Sequence, residues 1–293
     1  MEIHKLKKKI CMRKFWLIAL ILLVPFMASC GAPKKAIQIK GSDTMVNLAQ
    51  GWAEAFMLKN PDIAIAVTGG GSGTGMAALI SNTCSIAQSS REIKNKEIEM
   101  AEKRGVEPKE FIVANDGIAL IAHPSNPIAQ LTIQQLSDIY TGKIKNWKEL
   151  KGPNQKIVAL SRDRNSGTHV FFLEEVVKLG NKKSLDEFAA DVLMMPSSQA
   201  VIEEVSSNPE AIGYVGLGYV TKSQKILAVA KNLGSPYIFP TIETVKTRKY
   251  PISRSLLFYT NGNPQGQLKS FFDFVLSKEG QQIVLDMDFI PAK

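Results

Sequence analysis

Short apolar strands alternate with amphipathic helical segments along most of this chain, and this alternation is what most constrains its fold. Strand candidates at 36–40, 62–67 and 156–161 each precede a segment with apolar residues at helical spacing. Since parallel strands need a crossover that is usually a helix, the pattern predicts an α/β protein with mainly parallel sheets. Further strands are predicted at 85–90, 111–123, 212–217, 225–230 and 255–259, and helices at 44–58, 131–140, 167–179, 184–191, 198–207, 266–276 and 279–286.

The first 29 residues differ from the rest in composition. Residues 1–14 carry six basic side chains and one acidic one, and residues 15–27 form an uninterrupted apolar run. This run is short for a membrane span, which needs about 20 residues, and a basic segment before a short apolar one is typical of a secretory signal. Cys30 follows two small residues and precedes a glycine, which resembles a bacterial lipobox.

We therefore predict a lipoprotein signal peptide over residues 1–29, lipidation of Cys30 and a tether over residues 30–35. The mature protein would then lie in the periplasm or at the cell surface, held to a bacterial membrane by acyl chains. Two alternatives stay open: an ordinary signal peptide with a coincidental cysteine, and a retained N-terminal anchor helix.

The basic balance of the chain, 36 Lys and Arg against 27 Asp and Glu for a formal charge of +9, raises the possibility of a nucleic-acid partner. Residues 1–14 account for +5 of this charge and the tether for +2, so the folded part is close to +2. We therefore expect no nucleic-acid partner. Without the leader and Cys30, Cys84 is the remaining cysteine, so no internal disulfide is expected.

Three segments rich in glycine and hydroxyl side chains fall where a predicted strand hands over to a helix: GSDTM (41–45), TGGGSGTG (68–75) and SRDRNSGTH (161–169). Helix N-termini leave backbone N–H groups unpaired, which favours anions. Because ligands of open α/β sheets bind beyond the carboxyl ends of the strands, the three turns could converge on one small tetrahedral oxyanion. For each turn taken alone, helix capping is the stronger explanation.

Motifs that would indicate catalysis are missing from the sequence. The turn at 68–75 lacks the lysine of a P-loop, no HExxH motif occurs, and three scattered histidines are too few for a three-histidine metal site once His4 leaves with the leader. We predict no catalytic residue, no metal and no cofactor.

At these turns the chain resembles the phosphate-binding proteins of bacterial phosphate ABC transporters, the PstS-like family. The resemblance spans 36–293 and includes, in order, SSRE (89–92), LTIQQLSDIYTGKIKNWKEL (131–150), AIGYVGLGYV (211–220) and FFDFVLSKEGQQIVLDMDFIP (271–291). It implies a two-lobed periplasmic-binding-protein type II fold of class α/β, with two mixed sheets flanked by helices and a hinge. We place lobe 1 at 36–116 and 228–293, and lobe 2 at 117–227. The implied function is that of a monomer that captures inorganic phosphate and delivers it to an ABC permease without chemistry.

The resemblance also assigns the ligand-binding residues. Those that match family segments are Ser42 and Thr44 in the first turn, Ser72 in the second, Ser90 in the third loop, and Arg162, Ser166, Gly167 and Thr168 in the fourth segment. Ser90 stands where some members have an aspartate that accepts a proton from phosphate. We therefore add Asp43 as the group that either takes this role or orients Arg162, with simple helix capping as the alternative. Arg91 either contacts phosphate or pairs with an acid outside the site.

Other functions stay open at this point. The chain could bind another tetrahedral oxyanion such as sulfate or molybdate, or it could be a secreted phosphatase of related fold. It could also be a sensor or adhesin that uses the fold without transport.

Overall fold

The computed structural model describes residues 36–292, so the predicted signal peptide, Cys30 and tether lie outside the described residues. The strands are β1 (Ile37–Gly41), β2 (Ile65–Thr68), β3 (Ile86–Ser89), β4 (Pro108–Ala122), β5 (Gln130–Thr132), β6 (Val158–Arg162), β7 (Leu193–Met195), β8 (Ala211–Gly216), β9 (Lys225–Ala230), β10 (Ser253–Asn261) and β11 (Ile290–Pro291). The helices are α1 (Val46–Lys59), α2 (Ser72–Ile80), α3 (Asn95–Glu102), α4 (Ile133–Tyr140), α5 (Gly167–Phe172), α6 (Ser198–Ser207), α7 (Ile242–Lys246), α8 (Gly266–Val275) and α9 (Lys278–Asp286). Short 3₁₀ turns occur at Asp43–Met45, Trp147–Leu150 and Leu217–Tyr219, and a π-helical turn at Leu173–Val177.

The strands form a curled mixed sheet in the order β2-β1-β3-β10-β4-β8-β6-β7. Both ends of this order are parallel, since β1 runs parallel to β2 and β3, and β6 runs parallel to β7 and β8. The centre is antiparallel, because β4 pairs with β10 through its first part and with β8 through Ile118–Ala122. The α/β class and the mixed sheet are confirmed, whereas the sheet is not mainly parallel, because β4 and β10 pair antiparallel with their neighbours. The strand predicted at 111–123 lies almost entirely within the continuous strand β4.

Two main hydrophobic cores lie along this sheet. The first core packs α1, α8 and α9 against β1, β3 and β10 and includes Ile39, Leu48, Trp52, Phe258 and Phe271. The second core surrounds the end of β4 and includes Leu120, Tyr140, Trp147, Leu160 and Tyr214. β4 contributes residues to both cores and therefore connects the two halves of the sheet. The predicted lobe boundaries stay a prediction.

The segment 184–191, predicted to be a helix, is irregular. Its apolar residues do not share one packed face, since Leu185 is 94% exposed while Phe188 packs on the second core. The Ser184 hydroxyl donates to the Asp186 carboxylate, a local hydrogen bond of the kind that competes with helix formation. Among residues 36–292, no helix has both the length and the apolar character to cross a bilayer.

Candidate functional site

The first predicted turn begins at Gly41, the last residue of β1, and continues into the 3₁₀ turn that starts at Asp43. Gly41 has φ +140°, and a Cβ there would lie 2.1 Å from the Gln88 carbonyl oxygen, so glycine is required. Ser42 donates its backbone N–H to that same carbonyl at 2.8 Å. This close contact with β3 buries the side chains of Ser42 and Thr44 at the end of β1.

The second turn approaches both the first turn and the fourth segment. Gly71 donates its N–H to the Gly41 carbonyl at 2.9 Å, and a Cβ on Gly71 would lie 2.5 Å from the Asn165 carbonyl oxygen. Gly73 donates its N–H to that oxygen at 3.0 Å. Because Gly71 has no side chain, the backbone of the second turn can contact the backbone of the fourth segment at Asn165. The next residue, Ser72, is buried and begins α2.

A cluster of buried hydroxyls forms where the segments meet. Ser42 Oγ donates to Ser90 Oγ at 2.8 Å, and Ser72 Oγ lies 3.5 Å from Ser90 Oγ. Thr44 Oγ1 and Thr168 Oγ1 lie 2.9 Å apart. We call these five residues the hydroxyl cluster; all are almost completely buried. The structure therefore brings together the hydroxyl residues that the sequence assigned to the first, second and third segments, with Thr168 from the fourth.

Gly167 lies directly against this cluster. A Cβ on Gly167 would come 2.3 Å from Ser72 Oγ and 2.6 Å from Ser90 Oγ. The neighbouring Ser166 accepts the N–H groups of Thr168 and His169 at 3.2 and 3.4 Å and so caps α5. Ser166 is buried beside the cluster, but its oxygen has this local capping role.

Arg162 is 1% exposed and has a hydrogen-bond partner on each side of its guanidinium. It donates to Asp43 Oδ2 at 2.7 Å, to Ser198 Oγ at 3.0 Å, and to the carbonyls of Met195 and Pro196 at 3.2 and 3.1 Å. Asp43 Oδ1 accepts the Gly70 N–H at 2.9 Å. Both carboxylate oxygens of Asp43 are thus engaged, one of them with Arg162.

Arg91 follows Ser90 in the chain, but its side chain pairs with Glu97 and not with the hydroxyl cluster. Its guanidinium forms a two-pronged ion pair with Glu97 at 2.8 and 2.6 Å and donates to the Glu92 carbonyl at 2.7 Å. Of the two roles considered for Arg91, this geometry is that of an ion pair outside the hydroxyl cluster.

Two charged residues next to the cluster were missed by the sequence reasoning. Arg254 on β10 donates to Asp116 Oδ2 on β4 at 3.1 and 2.8 Å, and both side chains are buried. Burial raises the pKa of Asp116, while the Arg254 guanidinium partly offsets that rise. The sequence offered no local signal for this pair, because its two members are 138 positions apart and β4 carries other charged residues, Lys109 and Glu110.

A second polar group lies behind the fourth segment. Ser161 Oγ is 3.0 Å from His169 Nδ1 and 2.6 Å from the Tyr214 hydroxyl. Burial, with a contribution from the positive charge of Arg164, lowers the pKa of His169 to about 4. The imidazole is therefore neutral at pH 7 and supports the segment that carries Gly167 and Thr168.

Comparison with known proteins assigns this chain to a family. Residues 28–279 match the model of the PBP superfamily domain. The phosphate-binding protein PstS of Pseudomonas aeruginosa is 33% identical over 268 residues, covering 86% of this chain and 81% of the relative. PstS of Bacillus subtilis is 33% identical over 306 residues, covering 96% and 95%. A crystal structure of a phosphate ABC transporter substrate-binding protein with bound phosphate from Clostridium perfringens has a TM-score of 0.78 at 36% identity, covering 88% of this chain and 100% of that chain.

The chain belongs to the PBP superfamily and, within it, to the family of PstS phosphate-binding proteins. The family and the fold predicted from the sequence are thereby confirmed. The relatives carry the names of binding proteins rather than enzymes, in agreement with the prediction that this chain is not an enzyme.

Proposed function

We propose that this protein captures inorganic phosphate outside the cytoplasm and delivers it to an ABC permease. The observation that carries the proposal is the buried hydroxyl cluster, which lies against Gly167 in a chain of the PstS family. Ser42, Thr44, Ser72, Ser90 and Thr168 offer the hydroxyl donors that a dehydrated oxyanion needs in place of water.

The charge balance supports binding by neutral donors. Each buried arginine near the cluster is bonded to an aspartate: Arg162 to Asp43 and Arg254 to Asp116. The hydroxyls of the cluster therefore meet the anion, and Arg162 adds a charged donor. Selectivity then depends on the geometry of the donors and acceptors more than on net charge. No bond is made or broken.

The location and organisation of the protein are part of the proposal. The mature chain is lipidated at Cys30, anchored to the membrane and monomeric, and lobes at 36–116 with 228–293 and at 117–227 close over the anion. Hydrogen bonds such as Thr44–Thr168 and Gly73–Asn165 join the residues that closure would bring together. Closure would give the permease a surface that differs between the free and bound forms.

Calorimetric titration of the purified mature chain with phosphate and with sulfate tests the function. We expect a single phosphate site and at least 100-fold weaker sulfate binding, because a hydroxyl oxygen of the cluster can accept the proton that phosphate carries and sulfate lacks. A clear heat from sulfate or molybdate with none from phosphate would overturn the assignment. Hydrolysis of a chromogenic phosphomonoester by the same preparation would indicate the phosphatase alternative.

For Asp43 we propose the orienting role, because its carboxylate already bonds Arg162 and the Gly70 N–H. Asp43→Asn should weaken phosphate and sulfate binding by a similar factor, about 10-fold, since one charge-assisted hydrogen bond is weakened. A selective loss of the preference for phosphate over sulfate would instead identify Asp43 as the acceptor of the phosphate proton.

A further inference from the structure

The ion pair between Arg254 and Asp116 occupies a central place in the sheet. The two residues face each other in the register of β10 and β4, at the region where β4 passes from one core toward the other. Asp116 is fully buried and Arg254 is 7% exposed. A buried ion pair gains little stability over well-packed apolar residues, so its presence here calls for another explanation.

The remaining donors of Arg254 reach the hydroxyl cluster. Its Nη1 donates to the Ser90 carbonyl oxygen at 3.1 Å, and its Nη2 donates to Thr44 Oγ1 at 3.3 Å. These two residues come from the third loop and the first turn, which are far apart in sequence. One planar guanidinium therefore holds two parts of the predicted anion site at a fixed separation.

Asp116 extends the same connection to a third part of the fold. Its Oδ1 accepts the Leu217 N–H at 3.0 Å, at the end of β8. A Cβ on Gly216 would lie 2.9 Å both from Asp116 Oδ2 and from the Thr44 methyl carbon, so glycine at this position lets β8 end against the pair. The carboxylate also cancels the charge of Arg254 inside the protein.

We propose that Arg254 is a positioning residue of the phosphate site, which sets the places of Thr44 and Ser90, and that Asp116 holds it there and balances its charge. This inference rests on the proposed phosphate-binding function. Arg254 acts through the hydroxyl and carbonyl groups that it binds. Replacement of Arg254 should consequently weaken phosphate binding even in a variant that still folds.

The pair of Arg91 and Glu97 offers a matched control. Arg91 is also 7% exposed and also makes a two-pronged ion pair, yet its guanidinium bonds Glu97 and the Glu92 carbonyl rather than the hydroxyl cluster. Arg91→Gln therefore removes a comparable buried ion pair without removing a hydrogen bond to the cluster.

The experiment is phosphate titration by calorimetry of the mature chain and three variants, with thermal unfolding measured in parallel. We expect Arg254→Lys to weaken phosphate binding about 10-fold, because one ammonium cannot serve Asp116, Ser90 and Thr44 together. Arg254→Gln should weaken it more than 100-fold, since the unpaired Asp116 carboxylate then lies near the anion. Arg91→Gln should stay within about twofold of the unmodified chain.

Two further comparisons separate positioning from a merely structural role. Arg254→Gln combined with Asp116→Asn removes both charges, and it should bind phosphate at least fivefold more tightly than Arg254→Gln alone. In a Thr44→Val background, the loss caused by Arg254→Lys should shrink at least threefold, because part of the effect passes through the Thr44 hydroxyl. If Arg254→Gln does not fold, the proposal is tested by Arg254→Lys alone and by Arg254→Lys in the Thr44→Val background.

The proposal is overturned if the Arg254 variants lower the melting temperature but bind phosphate as tightly as the Arg91 control. It is also overturned if the effects of Arg254→Lys and Thr44→Val are additive. Absence of phosphate binding by the unmodified chain would instead contradict the proposed function itself, so the two failures are distinguishable.

Discussion

The contacts of single glycines determine how closely the segments of the site can pack. A Cβ on Gly167 would lie 2.3 Å from Ser72 Oγ, whereas a Cβ on Gly73 has no contact below 3.5 Å. Both residues lie in glycine- and hydroxyl-rich segments that look alike in the sequence. The structure shows that only the first of these two is pressed against the hydroxyl cluster.

Gly167→Ala should weaken phosphate binding at least 100-fold, because the added methyl would displace Ser72 and Ser90. The free energy of unfolding should fall by about 1–3 kcal/mol from the overpacking. Titration calorimetry and denaturant unfolding measure the two effects. Gly73→Ala is the matched control and should bind phosphate within about threefold; equal losses in both variants would contradict the argument.

His169 couples the stability of the fourth segment to pH. Its pKa is lowered from 6.5 to about 4 in the folded protein, chiefly by burial. The unfolded chain therefore binds more protons between these two pH values. The free energy of unfolding must then fall as the pH falls through this window, and it recovers above pH 6.5.

His169→Gln should flatten this dependence between pH 6.5 and pH 4. The contribution removed is about 2 kcal/mol after allowance for solvent screening. Denaturant unfolding at several pH values measures it. An undiminished slope in the variant would refute the assignment to His169.

At the scale of elements, the irregular segment 184–191 shows how tertiary contacts override the local sequence pattern. Phe188 stacks on His169 with ring centroids 4.6 Å apart and meets Tyr140 edge-on at 5.8 Å. Ala189 donates its N–H to the Tyr140 carbonyl at 2.9 Å. These contacts hold the chain against α4 and α5 without a helix.

Phe188→Ala should lower the free energy of unfolding by about 2–3 kcal/mol, because a partly buried aromatic side chain is lost from the second core. Leu185→Ala should change it by less than about 0.5 kcal/mol, since the Leu185 side chain is exposed. Denaturant unfolding of both variants checks this. Similar losses would indicate that the segment packs as a helix after all.

At the scale of the whole molecule, the long strand β4 links the two cores, and contacts from distant segments meet beside it. Arg162 and Asp43 are 119 positions apart in the chain, and Arg254 and Asp116 are 138 apart. A ligand that engages these segments together should therefore stabilise the fold as a unit.

Phosphate at 100 times its dissociation constant should raise the free energy of unfolding by about 2.7 kcal/mol. For a protein of this size, the melting temperature should rise by about 5 °C. Differential scanning calorimetry measures the shift, with sulfate at the same concentration as the control. Equal shifts with both anions would indicate a general salt effect.

Much of this organisation was predictable because local chemistry determines it. Strand and helix positions follow from apolar spacing, which correctly predicted α1 and α4, and the glycine- and hydroxyl-rich turns marked three places where strands hand over to helices. The helix predicted at 184–191 was wrong, because its packing depends on Tyr140 and His169 rather than on its own pattern. Arg254 and Asp116 were missed for a similar reason, because the partner of each lies on another strand, 138 positions away in the chain.

The sequence by itself determined the class of fold, the family, and the segments that carry the candidate ligand-binding residues, because these depend on spacing and composition along the chain. Only the tertiary structure decided which partner each charged group takes: Arg91 pairs with Glu97, Arg162 with Asp43, and Arg254 with Asp116. The physical reason is that the electrostatic energy of a buried charge depends on the atoms within a few ångströms of it. Those neighbours are brought together by the pairing of strands and not by nearness in the sequence.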